Sequence, residues 1–274
     1  MKKLARNKLL VFATAIVVLQ LLVAALAPLV APYDPVAQNV LARLRGPSTG
    51  YWLGTDQFGR DVLSRVIHGA RTSLAVSVAA VAAALVMGGA LGLLAAYYRG
   101  WLERIVMRVM DVLFAFPVLL LAIGVVAVLG PRASSAAIAI AIVYTPIFAR
   151  LLRGPALVIC ESDYVVAARA IGAADWRIIF VHILPNLMSV VLVQTSLLLS
   201  AAILVEASLS FLGLGTQPPT PSLGLMLSEG RNFLMISPWS AVFAGAAILL
   251  LAFGLNLLGD VLRDTLDPRL RGSP

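Results

Sequence analysis

Apolar residues run along this chain in long blocks, and short segments between them gather most of the charge and proline. Several blocks reach the ~20 residues that a helix needs to cross a bilayer. The pattern predicts an all-α membrane protein with six transmembrane helices. The first block, residues 9–27, is apolar except for Thr14 and Gln20 and follows Lys2, Lys3, Arg6 and Lys8. A cleaved leader would suit the basic start and the Ala25-Leu26-Ala27 triplet. Its apolar core would be only about 7–15 residues, and Pro28 obstructs the cut, so a first transmembrane helix is the expectation. The second block, 74–98, is free of charge and carries Gly88, Gly89 and Gly92, small residues that let helices approach closely. The third runs over 105–129 with a kink at Pro117, the fourth from 135 to 149 around Pro146, the fifth over 186–205 and the sixth over 239–259.

The polar segments fall into a second pattern. Residues 32–68 are rich in Pro, Gly, Asp and Arg. From Arg60 onward, Val62, Leu63, Val66, Ile67 and Ala70 keep a helical period, while Arg60, Asp61, Ser64, Arg65 and His68 take the other face, which predicts an amphipathic helix lying at the outer interface. The chain therefore divides into an N-terminal segment with the first span (1–31), an outer loop (32–72), a five-helix core (73–262) containing a polar loop at 161–186, and a tail (263–274). With this division, fourteen Lys and Arg fall on one side and seven on the other, five of the seven in the single long outer loop. That asymmetry places both termini and the 161–186 loop in the cytoplasm.

The 163–186 stretch reads D-Y-V-V-A-A-R-A-I-G-A-A-D-W-R-I-I-F-V-H-I-L-P-N. It predicts two short helices with a bend. Ser162 or Asp163 caps the first, Gly172 breaks it, Asp175 caps a second through Phe180, and Pro185 ends that second helix. Ala167, Ala168 and Ala170 keep one surface thin enough for another protein to approach. Spacing alone leaves two readings open, a docking helix or a helix lying on lipid headgroups.

Composition narrows the chemistry. The chain is 61% hydrophobic and 12% charged, against roughly 45–50% and 25% in soluble domains. Its one cysteine, Cys160, excludes a disulfide framework. The net charge of +8 is scattered between apolar blocks, as membrane topology requires, and implies no nucleic-acid partner. Lysine occurs only at 2, 3 and 8, so no G-x-x-x-x-G-K-[ST] phosphate loop exists and any ATP-driven work would need a separate partner. No metal or nucleophile motif is present; a site from His68, Asp56 and Asp61 has too loose a spacing. No catalytic, cofactor or metal residue is expected. Polar groups in the fifth span, Gln194, Thr195, Ser196 and Ser200, must face protein or water and are candidates for a translocation path, with interhelical hydrogen bonding as the alternative. Glu206 is expected at the outer end of that helix, and Arg108 and Asp111, three apart, are expected to pair with each other.

The loop at 163–186 resembles the "EAA" loop of ATP-binding-cassette (ABC) importer permeases, E-A-A, three residues, G, nine residues, I, one residue, L-P. Ala167, Ala168, Gly172, Leu184 and Pro185 match; Val166 replaces the Glu and His182 the Ile. The stretch W-L-G-T-D-Q-F-G-R-D from Trp52, D-V-L-F-A-F-P from Asp111, E-A-S-L-S-F-L-G-L-G from Glu206 and the tail D-x-L-x-D-x-L-D-P-R-L pattern from Asp260 are similar to the dipeptide, oligopeptide and nickel branch of that family. The resemblance covers nearly the whole chain. It implies a type I importer fold in a bacterial or archaeal cytoplasmic membrane, a heterodimer with a second permease, two cytoplasmic ATPases that hold ATP and Mg, and an extracytoplasmic substrate-binding protein. It also implies that Asp163, Ala167, Ala168, Gly172, Asp175, Trp176, His182, Leu184 and Pro185 form the ATPase-coupling loop, and that the block from Glu206 approaches incoming substrate. Peptides are the implied cargo, with nickel or a metal chelate as the alternative. An autonomous secondary transporter is a weaker reading, since no repeat is visible and the candidate acids lie near helix ends. A membrane enzyme lacks residues to run on.

Overall fold

Eleven α-helices, a short 3-10 helix, one π-helical stretch and no strand make up the described part of the computed structural model, residues 8–266. The basic N-terminal residues 2, 3 and 6 and most of the 263–274 tail lie outside it. Helix α1 (Lys8–Ala25) is followed by the short α2 (Ala27–Val30) and a coiled segment that closes on itself around an isolated Thr55–Asp61 bridge. Asp61 then starts α3 (Val62–Tyr98), its carboxylate accepting the Ser64 N–H at 2.8 Å. This N-cap starts one helix, not two. The expected interfacial helix at 60–70 is the first three turns of α3, running without a break into the second span. The polar face expected at the interface is instead turned into protein: Arg60, Asp61, Ser64 and Arg65 are all buried.

Helix α3 ends where Arg99 takes φ 53° and turns the chain into α4 (Gly100–Phe114). Pro117 does more than kink a third span. It precedes α5 (Val118–Leu129), which lies at 95° to α4, so 105–129 is a broken pair and not one rod. Helix α6 (Ala133–Cys160) passes through Pro146 and Pro155 and outlasts the expected end at Ala149 by three turns. The 163–186 stretch supplies α7 (Asp163–Ala170) and α8 (Asp175–Arg177). A wide π-helical turn, Ile178–Ile183, joins α8 to α9 (Leu184–Phe211). After a loop come α10 (Leu223–Arg231) and α11 (Trp239–Leu266). Four helical runs are long and apolar enough to span a membrane, at 62–98, 133–160, 175–211 and 239–265, and the α4–α5 pair makes a fifth if it counts as one span. Helix α1 is a shorter apolar helix.

Helices α3 and α6 form the centre. Gly88 and Gly92 carry their backbone against that of α6. A β-carbon at Gly92 would stand 2.3 Å from the Ala149 carbonyl oxygen, and one at Gly88 2.3 Å from that of Thr145. Only glycine permits this approach. One apolar cluster joins α3, α5, α6 and α9 through Ala84, Val126, Ile140, Phe148 and Ala202. A second joins the ends of α3 and α6 to the 163–186 stretch. Helix α11 closes the bundle against α9 and α1, where Gln20 donates to the Leu250 carbonyl at 2.7 Å.

Candidate functional site

The loop between α6 and α9 is built like a wedge. Val165 and Ala168 of α7 and Ile178, Ile179 and Ile183 behind it are buried against Leu93 and Ala96 of α3 and Leu152, Ala156 and Cys160 of α6. The opposite face is left open. Tyr164, Val166, Ala167, Ile171, Trp176, Phe180 and Val181 all project outward, Ile171 at 85% and Trp176 at 65% exposure. A contiguous apolar face on an ordered loop marks a surface for another molecule. The alanine pair divides between the two faces: Ala168 packs inward and Ala167 outward. Val166, where the importer loop has Glu, stands on the open face.

Several local expectations for this loop are corrected. Ser162 occupies the N-cap position of α7, but its hydroxyl donates back to the Ile159 carbonyl and caps nothing. Asp175 sits inside the first turn of α8, after Ala174, and its carboxylate leaves the helix altogether. The Tyr97 hydroxyl donates to its Oδ1 at 2.6 Å and the Tyr98 hydroxyl to its Oδ2 at 3.0 Å, while the Arg169 guanidinium lies over the Tyr97 ring. Pro185 does not end a short helix. It occupies the first turn of α9, and the chain runs helically from Asp175 to Phe211. Proline has no N–H for the Val181 carbonyl and its ring crowds that oxygen, which the widened turn just before it accommodates. Leu184 opens α9 beside it. Gly172 adopts φ +80° and makes the bend as expected, with open space around it. His182 is half-buried, tilted towards Tyr164, and its carbonyl accepts from Asn186 at 2.6 Å. Asp163 is exposed at the start of α7.

The polar residues of α9 take different roles. Ser200 donates to the Ala252 carbonyl of α11 at 2.8 Å, an interhelical bond. Ser196 donates to its own helix at Leu192. Glu206 is fully enclosed, not at an open outer face. Ser210, one turn on, donates to its Oε1 at 2.7 Å and accepts the Thr216 N–H, so the carboxylate fastens the following loop. Ser73 of α3 lies against the same carboxyl and accepts the Leu223 N–H. Neither Ser200 nor Glu206 therefore lines an open path. Gln194 and Thr195 stay half-buried on α9. Asp111 pairs not with Arg108, which is exposed on α4, but with Arg150 of α6 at 2.5 Å, beneath which the Phe114 ring lies. Glu103 likewise takes Arg153 at 2.7 Å.

At the far end of α3 lies a cluster that pattern reading missed. Asp56 Oδ2 accepts from Arg60 at 2.5 Å and faces Arg65 Nε at 3.3 Å, and both arginines reach Glu229 Oε2 of α10 at 3.0 Å. Asp56 is thus committed to arginines, and His68 to the Ser64 carbonyl, so they assemble no metal site with Asp61.

A bundle of apolar helices with an apolar-faced, α3-braced loop at one end defines a membrane transport permease. The family comparison makes this specific: residues 88–272 match the model described as "Binding-protein-dependent transport system inner membrane component", and the chain belongs to that family. Residues 1–47 match the N-terminal transmembrane domain of oligopeptide transport permease C. Among curated relatives, the dipeptide transport system permease protein DppC of Alkalihalophilus pseudofirmus is 46% identical over 98% of this chain and 89% of its own length. The glutathione transport system permease protein GsiD of Pectobacterium atrosepticum is 46% identical over 98% and 90%, and that of Escherichia coli 47% over 99% and 90%. A solved structure of the MetNI methionine ABC transporter in an inward-facing conformation matches 75% of this chain and 98% of its own, with TM-score 0.61 at 18% identity, a likeness of fold. The chain is accordingly the permease subunit of an ABC importer in an inner membrane. It is not an enzyme, and ATP hydrolysis resides in separate subunits.

Proposed function

We propose that this chain is one half of a heterodimeric permease that carries dipeptides or glutathione inward, with both termini and the 161–186 loop in the cytoplasm. Two ATPases dock on the open face of that loop, and an extracytoplasmic binding protein delivers cargo to the opposite end. The observation that carries this reading is the loop itself: an apolar face of Val166, Ala167, Ile171, Trp176 and Phe180 presented by a segment whose other face is locked into the bundle. A face merely resting on lipid needs no such bracing, whereas a lever does. The cargo class rests on the relatives named DppC and GsiD. ATP binding closes the ATPases, the loop moves as a body, and the spans reorient about a path beside Gln194 and Thr195.

The test is a mild-detergent pull-down of the tagged protein, followed by uptake of labelled dialanine and glutathione in the reconstituted complex. Two ATPases and a second permease should copurify, and replacing Trp176 or Ile171 by Asp should release the ATPases. A chain that comes down alone in several detergents, or that transports on an ion gradient without ATPases, would sink the importer reading.

A further inference from the structure

The docking loop is gripped from both sides, and the two grips differ. On its N-terminal side α7 grows out of α6 through Glu161 and Ser162. On its C-terminal side one carboxylate, Asp175, accepts both phenols of the adjacent pair Tyr97 and Tyr98 that ends α3. Adjacent helical residues point about 100° apart, so a single acceptor reached by both rings fixes α8 in direction as well as distance. The two rings meet edge to face at 5.0 Å, which holds them in that spread. Arg169 of α7 stacks on Tyr97, and Arg99 of α3 pairs with Glu161 at 2.9 Å, so all three corners of the loop meet the end of one helix.

That helix leads somewhere. Helix α3 is 37 residues long, about 55 Å. In its last third, two to three turns before the loop, it is locked to α6 by the Gly88 and Gly92 contacts, so the two cannot slide independently there. Towards its start, Ser73 accepts the first N–H of α10, and Arg65 holds Glu229 on the same short helix. Helix α10 is thus bound to the one helix that the loop grips at the opposite end.

We infer that Asp175, through Tyr97 and Tyr98, is the positioning contact that passes movement of the ATPase-docking loop into α3, and that α3 carries it to α10. Asp175 is exposed, but both of its carboxylate oxygens are taken by the phenols, and the open apolar face is made by its neighbours. The inference rests on the importer reading above.

The experiment compares the full complex containing this chain with one carrying Y97F and Y98F together. That pair removes both hydrogen bonds but keeps the rings and the Arg169 stack. Spin labels at R132C, in the exposed turn that opens α6, and M235C, exposed just past α10, report their separation with and without vanadate-trapped nucleotide, in a C160A background. The native complex should trap nucleotide and change that separation. The double variant should keep its ATPases and trap nucleotide, yet lose most of the change, and its uptake of labelled dialanine or glutathione per ATP hydrolysed should fall about five- to tenfold. D175N should do the same, and D175E should recover part of it. A merely structural contact would lower the yield of complex and leave the ratio alone. Three results overturn the inference: an unchanged distance shift in the double variant, loss of its ATPases or of trapping, or a native complex that traps nucleotide without any shift to transmit. Absence of ATPases from the native complex would instead overturn the importer reading itself.

Discussion

At one end of α3, Arg65 is 1% exposed and, with Arg60, shares the Glu229 and Asp56 carboxylates inside the protein. At the other end Arg99 and Glu161 pair in the open, and Asp175 takes its two phenols at the surface. The same helix therefore begins in a buried, charge-balanced knot and ends in a set of solvated contacts. A buried charge that loses its partner keeps its desolvation cost, so such a knot resists opening. A solvated contact exchanges with water at little cost and can be remade in a new geometry. One end is fastened to α10 by contacts that are costly to open; the other holds the 161–186 loop through several contacts that each cost little to break, so its hold rests on their number.

The largest expected effect breaks the knot. R65A leaves Arg60 alone to face both Asp56 and the partly exposed Glu229, one unbalanced negative charge in the knot, and should cost up to about 3 kcal/mol, read as a drop in thermal unfolding temperature in detergent. R65M combined with E229L removes one charge of each sign and keeps the Arg60–Asp56 pair, so it should lose less than either single variant. A double variant worse than both would mean that the knot's charges act separately.

Next comes the seam with α6 in the last third of the rod. G92V places a side chain against the Ala149 backbone, where a β-carbon alone would stand 2.3 Å from the carbonyl oxygen. Backbone cannot yield as a side chain tip can, so α3 and α6 must part, at about 1–3 kcal/mol. The comparison sharpens if uptake falls while both ends of α3 keep their contacts, because the ends then communicate through this seam.

Much of this arrangement was legible in the sequence. The apolar blocks marked the spanning helices, and Gly172 marked the bend between α7 and α8. The misses share a cause. Pattern reading scores each residue by its own helix, so Arg60 and Arg65 read as a wet face and Arg108–Asp111 as an i,i+3 pair. Their partners Glu229 and Arg150 lie far along the chain, on helices brought alongside only by folding. Tyr97 and Tyr98 read as an ordinary end of a span for the same reason. Proline misled twice in opposite senses. Pro117, expected to kink one span, separates two helices at 95°, whereas Pro185, expected to end a helix, sits within continuous helix, as Pro146 was expected to do and does. The widened turn accommodates Pro185, and local sequence does not reveal which case applies.

G172V should have a smaller effect than either substitution in the bundle. A β-branched residue at φ +80° is strained by about 1–3 kcal/mol, but the space around it is open and nothing clashes. The strain is relieved by re-angling α7 against α8. Stability should change little, and uptake should fall while the bundle stays folded. Normal uptake at normal protein levels would show that the angle between α7 and α8 does not matter.

The smallest effect belongs to Asp111 and Arg150, the exposed pair at the loop end of the bundle. Their side chains are 56% and 41% exposed. Water screens such a pair, and holding two side chains in one geometry offsets most of the attraction, so a double-mutant cycle with D111N and R150M should return a coupling of about 0–1 kcal/mol. Arg150 also lies over Phe114 at 4.4 Å, so F114L should remove a contribution of similar size that salt does not screen in the same way. If the Asp111–Arg150 coupling instead matched that of Arg65 with Glu229, burial would not be what separates the two ends of α3. The contrast between a fastened end and a weakly held one would then have to rest on the connections of the docking loop alone.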